Sequence, residues 1–171
     1  MMKFNKNNYY AIIGIIILLA TARLLPHPPN FTPILGMAVF SGAIISKRLI
    51  AYLIPLAAML LSDLYLGLHS GIPIIYFSLA VCVLIGTFIE SRVSILNSFL
   101  SISLGVLVFF LITNLMVWYG SGMYEFSISG LMTCYLMGLP FVQNTFISSL
   151  LYGMGAFLIY DIINKRIIFN N

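Results

Sequence analysis

Charge is what this sequence lacks most. Eight basic and four acidic residues are spread over 171 positions, so charged residues make up 7% of the chain. Soluble domains run nearer ~25%. With 61% hydrophobic residues and a mean hydropathy of +1.09, a chain this short has too much surface to hide its apolar content from water. An ordinary soluble domain is excluded, and an integral membrane protein is implied. The net charge of +4 is not a nucleic-acid signature, because the basic residues are scattered and most flank apolar runs.

Cysteine is equally scarce. Cys82 and Cys134 lie far apart, with no C-x-x-C and no zinc-type spacing. Cys82 sits inside an apolar run, so a disulfide is not expected, and both read as small buried residues. Signatures of catalysis are missing too. There is no H-E-x-x-H, no serine elbow and no Gly-rich phosphate loop, so the chain has no means of hydrolysing ATP itself. No enzyme, cofactor or metal is expected, although Asp63, His69 and His27 are the set that an intramembrane enzyme would use.

What is present is a series of apolar runs near the ~20 residues that a spanning helix needs. They cover about 9–25, 33–46, 49–67, 72–89, 97–119 and 140–162. The fold expected is therefore all-α, with about six transmembrane helices in a single domain over residues 1–171. The second run is short, and Gly36, Ala38, Ser41, Gly42 and Ala43 make it thin, so it should pack inside against neighbouring backbones. Thr32-Pro33 and Ser70-Gly-Ile-Pro73 mark helix starts. The segment Glu125–Gly138 is too short to span and reads as a re-entrant or interfacial helix on the outer side. Ala20-Thr21-Ala22 matches a signal-peptidase pattern, but the apolar run continues through Leu24 and Leu25, so the first helix is expected to be retained.

Orientation follows from the basic residues. Lys3, Lys6, Lys47, Arg48, Arg92, Lys165 and Arg166 fall on one side if the spans alternate, leaving Arg23 on the other. The basic side should be the cytoplasm, with both termini there, as in a bacterial cytoplasmic-membrane protein.

The outer side gathers the polar chemistry. Arg23, His27 and Asn30 lie in the first outer connection, which holds four prolines between Arg23 and Pro33. Asp63 and His69 lie at the outer end of the third run. Asn114 and Trp118 are four apart and share a helix face. Tyr124 follows, and Gln143 with Asn144 opens the last run. Together these ten residues are the candidate substrate-binding set, since separate segments deliver donors, acceptors and aromatics to one face. Each also has a purely structural use. Asp63 can pair with Arg23, His27 can be a solvated loop residue, and His69 can cap a helix end. Asn114 can bond between helices, and Trp118, Tyr119 and Tyr124 can form an interfacial belt.

The runs "RLLPHPPNFTPILGMAVFSG", "PLAAMLLSDLYLGLHSGIP", "FFLITNLMVWYGSGMY" and "CYLMGLPFVQNTFISSLLYG" resemble an uncharacterised bacterial membrane family grouped with the substrate-binding S components of energy-coupling-factor (ECF) vitamin transporters. The likeness covers about residues 20–160. It implies an S-component-like bundle that binds a micronutrient in an outward-facing pocket. It further implies docking on a transmembrane partner with two ATPases, followed by toppling to release substrate inside. The A-x-x-x-A docking pattern of such proteins is absent from "YYAIIGIIILLATARLL". A solitary importer of the small cobalamin type is the alternative, and there a cysteine can ligate cobalt, with Cys82 and Cys134 as candidates. A structural or assembly protein is the other alternative.

Overall fold

The computed structural model describes residues 6–169, with side chains from Tyr10 to Ile163. Lys3 and the side chains of Lys6, Lys165 and Arg166 lie outside the described residues. Six helices and no strands are found among the described residues: α1 (Lys6–Leu24), α2 (Ile34–Ile44), α3 (Arg48–Leu66), α4 (Ile72–Thr87), α5 (Ile95–Gly120) and α6 (Ile128–Phe169). Three of them, α3, α5 and α6, are long and apolar enough to cross a membrane.

The thin second helix occupies the centre, as its composition predicts. It touches α3, α4, α5 and α6. A Cβ at Gly42 would collide with the Val83 carbonyl of α4, and one at Gly86 would collide with the Val39 carbonyl of α2. Backbone therefore lies on backbone along the α2–α4 seam, an approach that only missing side chains permit. On the other flank, Gly36 of α2 faces Gly153 of α6, and Phe40 packs edge-on against Phe157 at 5.0 Å. Ser41 bonds through Oγ to the Ala51 carbonyl of α3 at 2.9 Å.

The bundle is apolar outside as well as inside, unlike a water-soluble one. Seven serines are buried, among them Ser62, Ser78 and Ser148, and most of them bond back to carbonyls of their own helix. Large apolar side chains also point outward. Leu100, Leu104, Leu107 and Leu111 form an exposed stripe on α5.

The expected separate helix over Glu125–Gly138 is corrected: the segment from Ile128 onward is the first part of α6, which runs on without a break through Pro140. Ser127 starts this helix, its Oγ accepting from the Gly130 amide at 3.1 Å. The long α5 gives the extension a partner. Tyr135 donates to the Leu111 carbonyl at 2.8 Å, and its ring meets Phe110 at 5.5 Å. A proline within a helix removes one backbone bond, and such packing offsets that loss.

The α1–α2, α3–α4 and α5–α6 connections share one end of the bundle. At the other end Arg48 pairs with Glu90 at 2.6 Å, joining the start of α3 to the α4–α5 connection. Lys47 and Arg92 belong to that same end.

Candidate functional site

Arg23 stands in the last turn of α1 and reaches across to α3. Its Nη1 donates to Asp63 Oδ1 at 2.5 Å and to Ser62 Oγ at 2.7 Å. Asp63 is only 1% exposed. Its second oxygen accepts from the Tyr76 hydroxyl of α4 at 2.8 Å. Both carboxylate oxygens are thus satisfied, and one buried acid ties three helices together. Such a charge is tolerated in an apolar interior only when it is paired and fully hydrogen-bonded.

The α1–α2 connection folds against this cluster. Its prolines fix φ and remove amide donors, so few conformations remain. His27 bridges the end of α1 and the loop, with Nε2 3.0 Å from the Arg23 carbonyl and Nδ1 2.8 Å from that of Pro28. Asn30 adopts φ +61, a left-handed conformation that Asn accepts more readily than most residues. Asn144 of α6 donates to the Pro29 carbonyl at 3.0 Å, and Phe31 meets Tyr152 edge-on at 6.3 Å. With 11 residues, α2 rises only about 17 Å, against about 28 Å for its neighbour α3. The connection therefore descends along the bundle, far enough to meet the middle of α6.

A cleft of about 430 Å³ lies beneath this connection. Arg23, His27, Asn30 and Thr32 form its polar rim, and Leu35, Met59 and Leu79 form its apolar floor. A second lobe of about 240 Å³ opens between α5 and α6 and contains Thr113 and Asn114. The two lobes share Asn30, Ile75, Phe109 and Thr145 in their walls, so they adjoin at these side chains as the two arms of a bent cleft. Pockets of a few hundred Å³ with few polar groups on apolar walls hold small organic molecules.

Of the residues predicted from the sequence, the cleft brings together Arg23, His27, Asn30 and Asn114. Asp63 stands behind Arg23 and does not line either lobe. Asn144 anchors the connection from outside. The others are elsewhere. Trp118 donates from Nε1 to the Glu125 carbonyl at 3.0 Å and stacks on Phe126 at 4.5 Å, so it organises its own turn. Tyr124 belongs to that same turn and lines neither lobe. His69 is exposed, and its Nδ1 accepts from the Gly71 amide at 3.2 Å ahead of α4. Gln143 is exposed on α6. Cys82 and Cys134 lie in helix interfaces, donating to the carbonyls of Gly105 and Asn114. Neither lines the cleft.

The model for the family of unknown function DUF6580 matches residues 3–169. The chain belongs to that family. It has no match among curated proteins and none among solved structures. The match takes in all six helices of this DUF6580 chain, so the cleft and the Arg23–Asp63–Tyr76 cluster lie within the family region.

Sequence reading missed Tyr76 and Phe109, each flanked by apolar residues on both sides, and also Thr113 and Thr145. The two threonines carried a signal, Thr113 directly before Asn114 and Thr145 directly after Gln143-Asn144. In this DUF6580 chain no three of His, Cys, Asp and Glu converge closely enough to hold a metal ion among the described residues. A separate hollow of about 400 Å³, with Ser98, Tyr160 and Asp161 in its wall, lies toward the opposite end between α5 and α6.

Proposed function

We propose that this chain is the substrate-binding, S-component-like subunit of a micronutrient importer, seated in the bacterial cytoplasmic membrane with both termini inside. The observation that carries this reading is the bent cleft, which joins a polar rim on the first connection to an apolar pocket between α5 and α6. Membrane residence is supported by the apolar exterior, where leucines of α5 and other helices are exposed around a core that is itself apolar. Lipid is the solvent for which that surface is suited. Lys47, Arg48 and Arg92 at the far end favour placing the cleft on the extracellular side.

In this reading a water-soluble nutrient enters under the proline-rich connection and is held at mid-bundle. Energy for its release comes from a transmembrane partner with two ATPases, since the chain lacks a phosphate-binding loop. The missing A-x-x-x-A pattern on α1 favours the second reading, a solitary importer. Affinity purification from native membranes separates the two. Recovery of a transmembrane partner and two ATPases supports the first, and recovery of the chain alone supports the second.

The binding role itself is tested on the detergent-purified chain. Mass spectrometry of the supernatant after denaturation should find one small polar compound, present in near-equal amount to protein. A purely structural protein would release nothing specific.

A further inference from the structure

We propose that the cleft takes a small organic anion, a carboxylate held at Arg23 with an apolar body lying against Ile75 and Phe109. The proposal rests on the ligand-binding reading above and names the class of ligand. Three observations lead to it.

The first is the charge of the walls. Among the described residues, Arg23 is the only formally charged side chain lining either lobe, and no carboxylate lines them. Its counter-ion, Asp63, is buried behind it with both oxygens committed to Arg23 and Tyr76. A cationic ligand would meet the guanidinium before any acid, whereas an anion would meet a donor.

The second is the geometry of the guanidinium. The bonds to Asp63 and Ser62 both leave from Nη1. The side chain keeps 18% of its surface exposed and lines the cleft. The remaining N–H groups of the planar fork are the ones that a carboxylate takes in a two-point contact.

The third is the start of α2. Thr32, Ile34 and Leu35 line the same lobe as Arg23. The first-turn amides of α2 have no helix carbonyl to bond, and the positive end of the helix adds to the field of the guanidinium. Beyond this polar end the walls turn mostly apolar, with Thr113 and Asn114 in the second lobe, so a ligand with one anionic end and a compact, largely apolar body suits them.

The experiment uses the full-length chain in detergent and three acid–neutral pairs: nicotinate with nicotinamide, biotin with biotinamide, and pantothenate with panthenol. Binding is read by calorimetry and thermal shift, alongside identification of any co-purifying compound. The expected result is that an acid binds while its neutral partner binds at least about a hundredfold more weakly. Asn30→Asp keeps size and tolerates the left-handed backbone while adding a negative wall. It should weaken the acid about tenfold or more with an unchanged melting temperature. Arg23→Lys, which keeps the charge but loses the fork, should retain weaker binding in case Arg23→Gln does not fold. A neutral partner that binds as well as its acid, or a co-purifying compound that is neutral or cationic, would overturn the anion proposal and leave the cleft a binding site. If nothing binds and nothing co-purifies, the functional reading fails and the anion proposal fails with it.

Discussion

Arg23 and Asp63, forty residues apart in sequence, meet at 2.5 Å, and the contact fixes the C-terminal end of α1 to that of α3. It does more than join two helices. By drawing the guanidinium to the rim of the cleft while burying the acid behind it, the pair sorts the two charges, one toward the cleft and one toward the core. Arg23→Leu should therefore be the worst single change in the cluster. It strands a buried carboxylate, with a cost of about 3–5 kcal/mol. Joining it with Asp63→Leu should restore most of that loss. Thermal unfolding of the two singles and the double measures this.

Tyr76 supplies the second bond to Asp63. Its removal in Tyr76→Phe should cost about 1.5–3 kcal/mol, the range for a hydrogen bond to a charged group. In an Asp63→Asn background the same change should cost clearly less, because the acceptor is no longer charged. A double-mutant cycle isolates the coupling. Equal costs in both backgrounds would place the hydroxyl's role elsewhere.

The glycines give a contrast on stability alone. At Gly42 and Gly86 a methyl group would strike the facing backbone, so Gly42→Ala and Gly86→Ala should each lower the melting temperature markedly. Gly14 faces open space on α1, so Gly14→Ala should melt at or slightly above the parent. A Gly42→Ala protein as stable as the parent would contradict the tight α2–α4 seam.

Sidedness is accessible to thiol labelling, because Cys82 and Cys134 are both buried. Single cysteines placed at His69 and at Arg92 should react with an impermeant reagent in intact cells only for His69. Labelling at Arg92 and not at His69 would invert the proposed orientation.

The helices were legible in the sequence because each is an apolar run bounded by proline, glycine or charge. The small residues of α2 foretold its central place. The pairing of Arg23 with Asp63 was also legible, since a lone carboxylate near the end of an apolar helix needs a cation and few were available. Tyr76 was not, because a tyrosine in an apolar run reads as packing until its hydroxyl is seen to meet Asp63. Trp118 illustrates a different case. Its spacing from Asn114 put both on one face, but its indole bonds to the turn that follows, a preference set by Glu125 and Phe126 and not by spacing. The continuity of α6 was hidden by Gly138 and Pro140, which mark a break in water but are tolerated in a packed helix. Asn30 and Asn114 were each visible as polar residues, yet nothing in the sequence said that Phe109 and Thr145 connect their two lobes.

The central claim is that the bent cleft is where a ligand is held, and Thr145 offers the most direct test. It is nearly buried and lines both lobes. Thr145→Trp should fill the junction with an indole, which the open volume on either side can accommodate. The measurement is the amount of small molecule released on denaturation from the parent and from this variant, purified side by side with their melting temperatures. The account predicts a bound compound in the parent and its loss in a variant that still unfolds cooperatively, with a melting temperature no lower than that of the parent stripped of its compound. A variant that folds and carries as much of the compound as the parent would contradict it.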